Sequence, residues 1–140
     1  MSSLQAFFAQ NTTAEITEEV IVSDRFKDEN GKPIPWKVRA ITEAENEQLR
    51  KAAMQHVKGP GGRRMAEIQP EVYMAKVVVS SVVFPDLKNA ELQKSYGVLG
   101  AEDLLKKMLL SGEYARLVQA VQEINGFDKD INELVEEVKN

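Results

Sequence analysis

The sequence predicts a mainly α domain of the α+β class: a single helical domain of about five to six helices with a small antiparallel β-hairpin near the N-terminus. Three observations predict it. Residues 84–127 pack helix starts, helix stops and apolar faces closely together. Residues 16–41 change to a period of two, as half-buried strands do. Residues 70–84 form an apolar span longer than a usual strand, with apolar residues on nearly all sides, which predicts a helix buried by its neighbours.

Taken in order, Leu4, Phe7 and Phe8 stand at i, i+3 and i+4, a short apolar stripe interrupted by Asn11, Thr12 and Thr13. A helix this short is marginal alone, so it docks on its own domain, docks on a partner, or stays disordered. Residues 1–15 are therefore set apart as a tail or short helix. Val20, Val22 and Phe26, and then Ile34, Trp36, Val38 and Ala40, alternate with polar or proline positions. Asn30-Gly31 suits a tight turn between two strands, although residues 27–32 leave room for a longer loop. Pro33 and Pro35 lack an amide hydrogen, which predicts that the second strand begins irregularly or lies at a sheet edge. Trp36, with no basic residues around it, is expected as a core anchor rather than a platform for stacking bases.

Thr42 and Glu45 carry the spacing of a capping box, in which each side chain takes the other residue's amide. The helix that follows is expected to face inward through Leu49, Ala52, Ala53, His56 and Val57 and to stop at Lys58-Gly59-Pro60. Gly59 to Gly62 reads as a flexible loop. It lacks the Gly-Lys-Ser/Thr ending of a phosphate cradle, and the adjacent Arg63 and Arg64 read as solvated charges. Pro70 suits a first helical turn, and Pro85 breaks the element that it opens. Asp86 or Asn89 caps a short helix to Tyr96 that Gly97 terminates, and residues 101–110 bear Leu104, Leu105, Met108 and Leu109 on one face. Ser111 is expected as the N-cap of the next helix, with Glu113 in its first turn and a Schellman-type stop at Gly126 and Phe127. Asp128, Asp130 and Asn132 mimic a calcium loop but place Glu133 where such loops need glycine. Residues 128–140 are instead expected as a short C-terminal helix opened by an Asp130/Glu133 capping box.

Composition narrows the function classes. A chain of 140 residues is one domain by length and buries roughly 65–70% of its unfolded surface. It has no cysteine, hence no disulfide or cysteine-based metal site, and a single histidine, His56. Its 22 acidic and 18 basic residues are interspersed for a net charge of −4, which disfavours binding to a phosphate backbone. The N-terminus lacks the basic and apolar regions of a secretory signal and no apolar run approaches a membrane span, so a cytoplasmic protein is expected. Glu43, Glu45 and Glu47 are explained by the dipole of a helix N-terminus, and residues two apart on a helix do not face each other. No catalytic, cofactor-binding or metal-ligating residue is assigned. Leu4, Phe7 and Phe8 are the candidate partner-binding residues.

The run VVFPDLKNAELQKSYGVLGAEDLLKKMLLSGEYARLVQAVQEING, with FKDENGKPIPWKVRAITEAENEQLRKAA upstream, resembles the XkdN-like tail assembly chaperones found in phages and prophages of Gram-positive bacteria. The resemblance spans roughly residues 21–127 and rests on caps, turns and core positions rather than on a chemical motif. It implies a non-enzymatic tail assembly chaperone in the bacterial host cytoplasm. It further implies that the chaperone binds the tape measure protein and recruits tail tube protein; self-association is left open, and the charge balance and the short apolar runs argue against nucleic-acid and membrane partners. A structural tail or head-tail component retained in the particle is the alternative.

Overall fold

The computed structural model describes residues 2–12 and 15–127. After two 3-10 turns, Gln5–Phe7 and Ala9–Asn11, the chain forms β1 (Thr17–Val20), β2 (Trp36–Arg39), α1 (Glu43–Ala52), β3 (Met54–Lys58), β4 (Arg64–Ile68), α2 (Pro70–Ser81), β5 (Val82–Phe84), α3 (Ala90–Ser95), α4 (Ala101–Met108) and α5 (Ser111–Ile124). The strands make two antiparallel sheets, one ordered β1-β2-β5 and one made of β3 and β4 alone. The architecture is thus mixed α and β, which corrects the expectation of a mainly α domain with one hairpin.

Two segments account for the correction. The helix opened by Thr42 ends at Ala52, and Met54–Lys58 turns into a strand that pairs with Arg64–Ile68 from Met54↔Ile68 to Lys58↔Arg64. Positive φ at Gly61 (75°) and Gly62 (76°) closes this hairpin, and the Gly59 amide donates to the Arg63 carbonyl at 2.7 Å. The glycines read as a flexible loop are a hairpin turn, and His56, expected on an inner helix face, is exposed on β3. The second segment is the expected helix over residues 70–84, which divides: α2 stops at Ser81, and Val82–Phe84 becomes a strand beside β2. Two valines and a phenylalanine favour a strand once a partner lies alongside, and β2 supplies one.

The N-terminal hairpin is present, with register Thr17↔Arg39 to Val20↔Trp36. Its connection is long. Within it, Asn30 and Gly31 turn tightly, Gly31 has φ 79°, and the Asp28 carboxylate accepts from the amides of Asn30 (2.8 Å) and Lys32 (3.0 Å). Pro33 and Pro35 both precede β2, which begins at Trp36, shifts register against β5 between Lys37 and Val38, and is the central strand rather than an edge.

The core lies between this sheet and the helices. α2 occupies the middle, packed against α1, α4 and α5, and buries Ala75, Val77, Val78 and Ser81. Trp36 is 2% exposed and sits 6.3 Å, centroid to centroid, from the Phe26 ring, in the anchoring place expected of it. Val22, Val38, Ala53, Leu104, Leu105, Leu117 and Val121 are also fully buried.

Helix ends follow local chemistry. The Thr42/Glu45 box closes with the Glu45 amide donating to Thr42 Oγ1 (3.2 Å) and the Thr42 amide to Glu45 Oε1 (3.1 Å). Asn89 Oδ1 accepts from the Leu92 amide at 2.9 Å. At Gly126, φ is 75°, and the Gly126 and Phe127 amides reach the carbonyls of Glu123 (3.1 Å) and Gln122 (2.9 Å), the paired bonds of a Schellman stop. Ser111 is not the cap of α5: Leu110 holds that position, and the Glu113 carboxylate takes its amide at 2.8 Å. The expected Asp130/Glu133 box and final helix lie outside the described residues.

Candidate interaction surface

The ionisable groups with strong partners hold the fold together. Arg25 bridges the β1–β2 connection to α5: Nη2 and Nε donate to Glu113 Oε1 (2.5 Å) and Oε2 (3.0 Å), and Nη2 also donates to the Met108 carbonyl (3.0 Å). The guanidinium lies 5.0 Å from the centre of the Phe26 ring. These bonds, the Arg25 hydrogen bond foremost, lower the Glu113 carboxyl pKa to about 2. Glu45 is likewise lowered to about 2, chiefly by Arg39, whose guanidinium makes bonds of 3.1 and 2.6 Å to it. Both carboxylates already accept several hydrogen bonds, and neither is poised to take a proton near neutrality.

The other acidic residues of the α1 start are also engaged. Glu43 accepts from Asn46 (3.0 Å) and Arg50 (3.2 Å), which lowers its pKa, Asn46 first. Glu47 pairs with Lys51 at 3.3 Å. Asn46, buried, accepts from the Tyr73 hydroxyl and so ties α1 to α2. Among the described residues, no three His, Cys, Asp or Glu side chains converge as a metal site would need.

Apolar surface is where the molecule departs from a closed fold. Leu4, Phe7 and Phe8 are 69, 81 and 41% exposed. Their segment is held by its own polar side chains: the Ser2 amide donates to Gln5 Oε1 (2.8 Å), Asn11 Nδ2 to the Gln5 carbonyl (2.9 Å), and Thr12 Oγ1 to the Phe8 carbonyl (3.0 Å). The two 3-10 turns pack chiefly on each other. Local hydrogen bonding thus shapes the segment while its three large apolar side chains face outward. The structure brings these predicted partner-binding residues together on one short stretch.

Two further surfaces escaped sequence reasoning. Phe84, at the outer strand of the three-stranded sheet, lines a small apolar groove of about 130 Å³ with Phe26, Ile34, Trp36, Pro85 and Met108. The β3–β4 hairpin exposes Met54 and Met65 by 49 and 50%. Its signal in the sequence is Gly-Pro-Gly-Gly placed between two stretches of strand length.

A model of the phage XkdN-like tail assembly chaperone protein family matches residues 4–139. The uncharacterized protein YqbN of Bacillus subtilis (strain 168) is 35% identical, with 96% of this chain and 92% of the relative covered. The phage-like element PBSX protein XkdN of the same organism is 32% identical over 96% of this chain and 93% of its own. The crystal structure of the protein YqbN superposes with a TM-score of 0.77 at 29% identity, covering 91% of this chain and 99% of that one. No helix among the described residues is long and apolar enough to cross a membrane. A match along nearly the full length, in a fold whose polar clusters act as struts and caps, means that this chain belongs to the XkdN-like family of phage tail assembly chaperones.

Proposed function

We propose that this protein is a non-enzymatic chaperone that binds the tape measure protein in the bacterial cytoplasm and keeps it competent for assembly with tail tube protein. The observation that carries the reading is the outward-facing Leu4, Phe7 and Phe8, on a segment that packs chiefly on itself. Apolar side chains displayed in this way cover apolar helix faces on a client until tube protein replaces them.

Co-expression with the tape measure protein from the same tail gene cluster tests this. A soluble complex that co-purifies, and is lost when residues 1–13 are removed, supports the reading. Finished tails in which mass spectrometry finds this chain in stoichiometric amount support the alternative, a structural tail or head-tail component retained in the particle.

A further inference from the structure

The β3–β4 hairpin is a part of the fold that the other described residues leave largely uncovered. Among the described residues its strands bond only to each other, so each presents one edge of backbone N–H and C=O groups with no described strand beside it. Only Val57 and Ile68 on the two strands are half-buried. A two-stranded hairpin standing by itself is marginal in water, and an open strand edge is a template for pairing.

Charge indicates what fits there. The hairpin, residues 54–68, carries Lys58, Arg63 and Arg64 against Glu67, a net +2, so the rest of a chain of net −4 carries −6. The complement is on the same chain. β1 is an outer strand of the three-stranded sheet, and both Glu18 and Glu19 on it are exposed. Among the described residues, these two glutamates and the three hairpin cations form no ion pair. Lys58 and Arg64 face each other across the hairpin, so their charges are presented together. Within one chain, β1 and the hairpin belong to separate sheets.

We propose that the β3–β4 hairpin of one copy docks along the β1 edge of a second copy, by strand addition, which carries the cationic Lys58/Arg64 end of the hairpin to the acidic edge that holds Glu18 and Glu19. The contact joins two different surfaces, so each copy gives a hairpin and receives one, and copies line up head to tail. It does not involve Leu4, Phe7 or Phe8, and it stands or falls separately from client binding.

Sedimentation velocity on the full chain tests it. At about 0.05 M salt the mass should rise above the 15.7 kDa of one chain as concentration increases, and about 0.5 M salt should weaken association by roughly tenfold or more through screening. Lys58→Glu with Arg64→Glu should abolish association, and so should Glu18→Lys with Glu19→Lys. Mixing the two double variants should restore it, since each then offers the charge that the other needs. The charge-conserving pair Lys58→Arg and Arg64→Lys should associate like the native chain, and restored association on mixing shows that the reversed variants are folded. A native chain that stays at 15.7 kDa at low salt overturns the proposal, because the charges then serve only to keep strand edges apart. Association that survives both double variants overturns it as well. So does a monomer that binds polyglutamate through the hairpin, since the occupant would then be a different acidic protein.

Discussion

Phe7→Ala separates a client-binding role from a structural one. The side chain is 81% exposed, so the fold has little to lose, and a 3-10 turn tolerates alanine. Fully burying a phenylalanine against a partner contributes about 1.5–3 kcal/mol, so the four-fifths still available at Phe7 is worth about 1.2–2.4 kcal/mol in a complex. At about 1.4 kcal/mol per tenfold, that predicts roughly 7- to 50-fold weaker binding to the tape measure protein. Titration calorimetry with a soluble apolar fragment of that protein measures the affinity, and a thermal scan of the free variant measures the fold. The midpoint should stay within about 1–2 °C of native, as for surface substitutions in general. A midpoint lowered by several degrees with affinity intact would refute the reasoning and show that Phe7 supports the domain.

Removing residues 1–13 should reproduce the binding loss of Phe7→Ala more severely, again with a nearly native midpoint in a thermal scan. Gly126→Val should cost about 1–2 kcal/mol in urea unfolding because φ is 75° there, whereas the exposed Lys88→Ala should stay within about 0.5 kcal/mol. Leu117→Ala, at a fully buried site in α5, should cost about 2–5 kcal/mol by the same measurement. The pH dependence has a definite sign: Glu45 and Glu113 have folded pKa values near 2 against an ordinary 4.5. Their stabilisation is therefore present above the ordinary value and lost as pH falls from about 5 toward 2. Urea midpoints measured across that window should fall less steeply for Arg25→Ala than for the native chain, since the alanine variant lacks the partner that depresses Glu113.

The candidate site was legible in part. The apolar spacing of Leu4, Phe7 and Phe8 is visible in a string of letters, but their exposure depends on whether any core surface comes near them, which spacing does not encode. The groove beside Phe84 was hidden for a related reason: its walls come from Phe26, Ile34, Trp36, Phe84, Pro85 and Met108, which only the folded chain brings together.

The helix starts at Thr42 and Asn89 and the helix stop at Gly126 were determined by the sequence itself. The Thr42/Glu45 box, the Asn89 cap and the Gly126 stop each close through hydrogen bonds between residues within five positions, so the necessary groups lie side by side in the chain. The family, too, was recognisable from such caps, turns and core positions. Strands are different, because a strand's hydrogen bonds go to another segment. Val82–Phe84 carries a helical spacing as readily as a strand composition, and it is a strand because β2 lies beside it. Met54–Lys58 leaves the helix because Gly61 and Gly62 return the chain for Arg64–Ile68 to pair with it. The Arg25–Glu113 bridge, between residues 88 positions apart, belongs with them. What only the tertiary structure decided is what needs a second segment: which apolar stretch becomes a strand, which face is covered, and which charges meet.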